Sequence, residues 1–472
     1  MDIKQATTDL EQFRTSLYQN FENRADTLMD LLDAMCSMPE AKSVVEYSLS
    51  SLFRRSYSTL FKGIAEIEFE EMWLPHRLAP YLPRPQAWPF WLLMVDVTPA
   101  PRLYAHTLAD RSMVYQPEVV KGKLPVTIGH QYSAALLGLE VEEGMSSSWV
   151  LPLLNQRVST KQDKELVGGA QITALLRDKQ LPFGEEFTVE VADSSYSKPA
   201  YLCSHRQFPN LVSIVRARST RVFYRQYEAT EEEKASPKAG HPTWYGERFA
   251  LADSTTWGEP DDLLILSETS RRGKVYQVEV QAWHNLLMHG KNKPVRLPMH
   301  EHPFTLVRIV RYDEDGKPAF KHPLWLIVMG KRRHELSLLH IHQAYASRFD
   351  EEHFFRFGKQ KLLMVDFQTP EVQHEEHWWQ LVHIAYAQLW MTRHLADVLP
   401  NPWERYLPAM KKRLTSPTLV QRDFERIIRQ LGTPAQPPRP RVISPGRRKG
   451  TKLPKRPRQK VVVKSQIAAQ TG

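Results

Sequence analysis

Apolar residues recur at helical spacing through the first part of the chain. Leu10, Phe13, Leu17 and Phe21, then Leu28, Leu31, Leu32 and Met35, repeat three and four residues apart. The stretch Pro39-Glu-Ala-Lys breaks the pattern, and Val44, Tyr47, Leu52, Phe53, Tyr57 and Leu60 resume it. This predicts helices from about 8 to 64, with Arg54, Arg55 and Lys62 on the last of them. Those bases suit either a helix entering a DNA groove or a helical cap or dimerisation element with surface charge. Pro75, Pro80, Pro83, Pro85 and Pro89 then mark an extended connector.

Beyond the connector the period changes. Trp91-Leu-Leu-Met-Val is apolar at every position and predicts a strand buried on both faces, ending at Asp96 beside a turn. A buried carboxylate is costly unless paired or metal-bound, the alternative being an aspartate that caps the turn. Strands are expected over 102–115 and 124–132, with a third apolar run at 149–154, before an amphipathic helix over 160–179. Phe187, Val189 and Val191 alternate in a strand that again ends in a carboxylate, Asp193. A short helix near 197–207 and an apolar strand at 211–215 follow. From 219 to 320 the chain reads as β-rich, with Val275–Ala282 alternating, Phe304–Tyr312 strand-like and a loop at Gly240–Gly246. Trp325-Leu-Ile-Val-Met is a further buried strand, and Trp378, Trp379, Val382, Ile384 and Leu389 predict a strongly apolar helix. A Pro-punctuated helical stretch over 400–432 completes the folded part.

Between these elements lies Tyr345-Ala-Ser-Arg348-Phe-Asp-Glu-Glu352-His-Phe-Phe-Arg356-Phe-Gly-Lys359. Wound as one helix, Tyr345, Arg348, Glu352 and Lys359 fall within a sector of roughly 60°, while Phe354 and Phe357 point the other way, toward a core. An acid flanked by cations on one stripe suits a site for a divalent metal and phosphate together. The plain alternative is a solvated face with pairing one turn apart. Arg356 lies close to the same face and is a further candidate for contact with DNA; His353 is a weaker one.

The spacing Tyr-x2-Arg-x3-Glu-x6-Lys, with two aspartates upstream in apolar strand contexts, resembles the YREK signature of bacterial insertion-sequence transposases of the DDE type. The resemblance covers about 90–395. It implies an α/β fold with an RNase H-like mixed sheet flanked by helices and interrupted by the β-rich insertion. It implies Asp96, Asp193 and Glu352 as catalytic acids and metal ligands, holding Mg²⁺ or Mn²⁺, two ions in all. Arg348 and Lys359 would clamp phosphates and Tyr345 would hydrogen-bond one. Glu352 is preferred to Asp350 and Glu351 because it alone meets both the helix-face geometry and the signature spacing. The implied activity is cleavage of element ends and joining of the 3′-hydroxyl to target DNA by a homodimer. A catalytically silent DNA-binding relative and a nuclease without strand transfer are the alternatives. Trp244, Trp257 and Trp283 lie in the insertion, where an aromatic could stack on a displaced base, though core packing is the simpler role for each.

Composition sharpens this in three respects. The 472 residues are ample for two or three domains, read as 1–74 (helical, a possible DNA-binding domain), 75–89 (linker), 90–218, 219–320 (insertion), 321–432 and 433–472. The net charge of +10 comes from the C-terminus: 13 Lys and Arg and no acid lie from Arg426 onward, leaving 50 bases against 53 acids elsewhere. Residues 433–472, rich in Pro, Arg and Lys, are expected to be a disordered tail suited to phosphate attraction or to solubility. Two cysteines, no apolar run near the roughly 18 residues of a membrane span and no secretory pattern lead to an expectation of a cytoplasmic, nucleoid-associated bacterial protein with no membrane contact. The pairs His300/His302 and His340/His342 lack the companions of a zinc site. No phosphate-binding glycine loop or dinucleotide fingerprint occurs, and the serines at 146–148 lack a nucleophile-elbow pattern.

Overall fold

The computed structural model describes residues 2–116, 125–145, 148–229, 244–270, 273–290, 297–397, 414–440, 448–452 and 455–463. In chain order the elements are α1 (Ile3–Asn20), α2 (Ala25–Ser37), α3 (Tyr57–Glu66), α4 (Trp73–Leu78), β1 (Trp91–Pro101), β2 (Ser112–Tyr115), β3 (Val126–Gly138) and β4 (Val150–Val158). They continue with α5 (Lys164–Arg177), β5 (Thr188–Ala192), α6 (Pro199–Ser204), β6 (Leu211–Ala217), β7 (Val222–Gln226), β8 (Tyr245–Ala250), β9 (Asp262–Thr269) and β10 (Val275–Leu286). The last are β11 (Phe304–Tyr312), β12 (Leu324–Met329), α7 (Leu338–Ala346), α8 (Arg348–Lys361), α9 (Val372–Thr392) and α10 (Pro417–Leu431). This is the expected α/β class, with mixed sheet and flanking helices.

The chain forms two compact units, Met1–Arg84 with Val97–Val167 and Asp350–Gly472, and Pro85–Asp96 with Gly168–Phe349. In the first, the N-terminal helices are not the separate domain expected for 1–74. Leu10, Phe13 and Leu17 of α1 and Leu28, Leu31 and Leu32 of α2 are buried in the same unit as Trp378, Trp379 and Val382 of α9. From Trp378 to Thr392 every residue of helix α9 except Gln380 is buried, the polar His383 and Gln388 included. Buried Arg14 ties three helices of this core together, with Nη1 2.5 Å and Nη2 2.9 Å from the Asp33 carboxylate and Nη1 3.0 Å from Gln388 Oε1. Arg54 and Arg55 precede α3 instead of lying on it, and both bond the buried Asp30 carboxylate, at 2.7 and 2.5 Å. Both charges are thus paired within the unit. Pro75 and Pro80, read as part of an extended connector, lie in α4 and the following 3-10 turn.

Strand β3 of this unit pairs antiparallel with β2 and β4. A buried network joins it to α9: Glu375 accepts from Arg102 Nε at 2.7 Å and Tyr132 Oη at 2.9 Å, and lies 3.0 Å from His130 Nδ1. Two described stretches of the tail expected to be disordered are bonded to the fold. Gln459 N donates to His106 O at 2.8 Å and Val462 N to Arg111 O at 2.7 Å, while Arg54 and Arg55 donate to the carbonyls of Ala435 and Gln436.

In the second unit the strands run in the order β1-β5-β6-β12-β11-β10-β9. Strands β1, β5 and β6 are parallel, and β6 to β9 along that order are antiparallel neighbours. The first five residues of β1 are buried, as expected of an unbroken apolar strand covered on both faces. All of β5 is buried too, although it is expected to alternate: Glu190 on its second face is paired with His205 at 2.9 Å. Much of the β-rich 219–320 segment extends this sheet as β9, β10 and β11, and only β7 and β8 form a sheet of their own. Trp283 and Trp325 are core residues, Trp257 packs edge-on to both, and Trp244 stacks on His300 at 3.5 Å. Part of the Gly240–Gly246 loop, and Ser146 and Ser147, lie outside the described residues.

Candidate active site

The parallel register of the second unit sets out its chemistry. Val95 of β1 pairs with Ala192 of β5, and Ala192 with Val215 of β6. One step further along each strand come Asp96, Asp193 and Arg216, so two acids and a cation line one edge of three adjacent parallel strands. Asp96 does not end its strand as expected. Strand β1 continues to Pro101, and Asp96 sits where its pairing with β5 stops. Prolines 99 and 101 are tolerated there because the strand has left that partner.

Asp193 does end β5. It caps the following 3-10 turn, its Oδ1 accepting from Ser195 N at 2.7 Å and Ser195 Oγ at 2.6 Å. One carboxylate oxygen is thereby fixed, which aims the other. Helix α5 approaches this corner through Gly168, where a Cβ would meet Tyr196 Cε1 and Val95 Cγ2 at 2.9 Å.

Tyr345 and Arg348 join this edge. Arg348 Nη1 lies 3.6 Å from Asp96 Oδ2, and its guanidinium carbon is 5.9 Å from the centre of the Tyr345 ring. Burial pushes the Tyr345 phenol up, against the pull of the Arg348 and Arg216 charges. The single helix expected from Tyr345 to Lys359 is two, α7 and α8, interrupted at Ser347, whose backbone stays in the helical region. The interruption leaves Tyr345 on the buried side of α7. A cavity of about 370 Å³ opens beside these residues, lined by Arg216, Phe320, His322, Tyr345, Arg348 and Phe349.

The remaining predicted site residues belong to the first unit. Glu352 and Arg356 are exposed and Lys359 is half-buried, while Glu351 is wholly buried. Phe354 and Phe357 face the core as expected, edge-on to Tyr386 at 4.8 and 5.6 Å. Lys359 Nζ donates to Thr98 Oγ1 at 2.6 Å, two residues beyond Asp96 on β1.

Two further side chains at this edge, Arg216 and Ser195, escaped the sequence reading. Arg216 had a visible signal, a lone cation closing an apolar strand, but only the register gives it meaning. Among the described residues no group of three or more His, Cys, Asp and Glu is close enough to hold a metal. The oxygen-only donors Asp96 and Asp193 nonetheless suit a hard divalent cation. Of the histidine pairs, His342 Nε2 is 2.5 Å from Glu268 Oε1 and His300 stacks on Trp244, both structural roles.

Two carboxylates on adjacent parallel strands, with cations beside them, could take up a divalent cation and a phosphate together. The family model described as DDE superfamily endonuclease matches residues 16–288, more than half of the chain, and the chain belongs to that family. The match includes Asp96 and Asp193 and ends before α8. No curated protein matches the chain. Membership implies DNA as substrate and a divalent metal as cofactor. No helix among the described residues is long and apolar enough to cross a membrane.

Proposed function

We propose that the protein is a cut-and-paste DNA transposase of an insertion sequence, working as a homodimer, with Asp96, Asp193 and Glu352 as its catalytic acids. The observation that carries this reading is the adjacent position of Asp96 and Asp193 on parallel strands with Arg348 against Asp96. The three carboxylates would hold Mg²⁺ or Mn²⁺, which supplies charge for the attacking and leaving oxygens of an in-line displacement.

The chain's own residues have separable tasks. Ser195 fixes the orientation of Asp193, and Arg348 that of Asp96. Arg348, Tyr345 and Lys359 offer donors to non-bridging phosphate oxygens, where charge grows in the transition state. Arg356, exposed on α8, touches DNA further out. In cleavage, a water oxygen bonds to phosphorus as the 3′-oxygen leaves. In joining, the freed 3′-hydroxyl attacks a target phosphorus and a second 3′-oxygen departs, with the nucleophile's proton passing to solvent.

The test is cleavage of labelled DNA carrying the gene's flanking ends, with Mg²⁺ or Mn²⁺, comparing wild type, Asp96→Ala, Asp193→Asn and Glu352→Gln. Nicking at a fixed end followed by a joined product is expected, with each variant falling at least about 10³-fold while still binding DNA. Cleavage unchanged in the variants would mean the acids are misassigned. Cleavage without a joined product would reduce the protein to a nuclease.

A further inference from the structure

We propose that residues 455–463 form a fixed basic rail, on the surface of the first unit, that binds the phosphate backbone of duplex DNA. The proposal rests on DNA being the substrate, and it goes beyond the general attraction of a charged tail. Lys455-Arg-Pro-Arg-Gln-Lys460 holds four cations and no acid, a composition that cannot build a core of its own. A free polycation of this kind would have no defined place.

This one does, and its anchors are main-chain atoms. Gln459 N donates to His106 O and Val462 N to Arg111 O, and Val462 forms a parallel bridge with Ser112 at the start of β2. From inside the fold the guanidinium of Arg111, 2% exposed, donates Nη2 to Gln459 O at 3.3 Å. The same side chain donates Nε to Leu108 O and Nη1 to Arg102 O, both at 3.1 Å, so one buried cation sets the 102–108 loop and the rail together.

Because the backbone does the anchoring, the charges remain available. Arg456 pairs with Glu371. Lys455, Arg458 and Lys460 are exposed and make no ion pair among the described residues. Holding like charges in a fixed row is unfavourable until a polyanion neutralises them. Tyr104, 84% exposed, and Tyr115, 59% exposed, lie on the same segment and strand and add hydroxyl donors of the type that contact DNA phosphates. A rail of pre-placed cations loses less freedom on binding than a flexible tail.

Two variants of the full chain separate rail from tail. Lys455→Gln with Arg458→Gln and Lys460→Gln removes the free charges. Gln459→Pro with Val462→Pro keeps every charge and removes the two anchoring N–H donors. Affinity for a duplex of arbitrary sequence is read by fluorescence anisotropy from 50 to 200 mM salt, with thermal melting as the check on folding. The neutralised variant should lose about 2.7 from the salt slope, so that wild-type affinity falls about 40-fold more than its own over that range. The proline variant should also bind more weakly than wild type, despite its unchanged charge. A proline variant that binds like wild type would overturn the rail, since charge alone would then suffice. An unchanged slope in the neutralised variant, whose substitutions are all at exposed positions, would overturn it as well. Asp193→Asn, which leaves this surface intact, tells the two readings apart: it should lose cleavage with a wild-type slope, so retained cleavage there counts against the acids alone, and an unchanged slope in the neutralised variant against the rail alone.

Discussion

Glu375 makes the first unit sensitive to a single substitution. Its side chain and that of Arg102 are both 0% exposed and meet at 2.7 Å, with Tyr132 Oη and His130 Nδ1 on the other carboxylate oxygen at 2.9 and 3.0 Å. Arg102 also donates Nη1 to the carbonyls of Pro101 and Val365, so the network fixes the far end of β1. Glu375→Gln keeps the shape and removes the charge, leaving a buried guanidinium without its counter-ion. Breaking a buried pair in this way costs about 3–5 kcal/mol. Tyr132→Phe, which loses one bond to a charged acceptor, should cost about 1.5–3 kcal/mol.

Urea unfolding followed by tryptophan fluorescence reads both, because Trp379 stacks on Tyr132 at 3.9 Å within the same core. The effect has a pH signature. Burial pushes the Glu375 carboxyl up, but the His130 hydrogen bond and the Arg102 charge outweigh it and leave it below its ordinary value. A depressed carboxylate stabilises fully above its unfolded pKa of about 4.3, and the contribution is lost as pH falls through the lower folded value. The gap between wild type and Glu375→Gln should therefore be constant near neutrality and close on acidification below about pH 4. A variant within about 0.5 kcal/mol of wild type at pH 7, or a gap that does not narrow on acidification, would refute this account of the network.

Two other outcomes follow from single contacts. Lys359→Met removes the 2.6 Å bond to Thr98 and should lower end cleavage about 10²-fold with thermal melting nearly unchanged; wild-type cleavage would rule out its role at phosphate. Glu142 is held at about 2 against burial, by hydrogen bonding to His394 and by the charge of Arg393. Its contribution is present above about 4.3 and lost as pH falls toward 2, so Glu142→Gln should lower the melting temperature at pH 7 and match wild type near pH 2.

The strand bearing Asp96 was legible because burial on both faces forces an unbroken apolar run, and the one before Asp193 because Phe187, Val189 and Val191 alternate; a carboxylate closing either pattern stands out. The core-facing side of α8 was legible for a similar reason, since Phe354 and Phe357 repeat at helical spacing. The burial of α9 was legible in its apolar residues Trp378, Trp379, Val382, Ile384 and Leu389, but not that of His383 and Gln388 among them. The partners of charged residues were not legible. Arg54 and Arg55 looked like bases on offer to DNA, but Asp30, brought up by a different helix, uses both. The tail looked disordered because its side chains bury little, whereas its anchors are backbone N–H groups and a carbonyl, which every sequence possesses. Arg216 became part of the site only through the register of β5 with β6. Periodicity reports which face of an element meets a core. Which charge meets which, and at what height along a sheet, is set by pairings between residues far apart in the chain, and only the tertiary structure decides them.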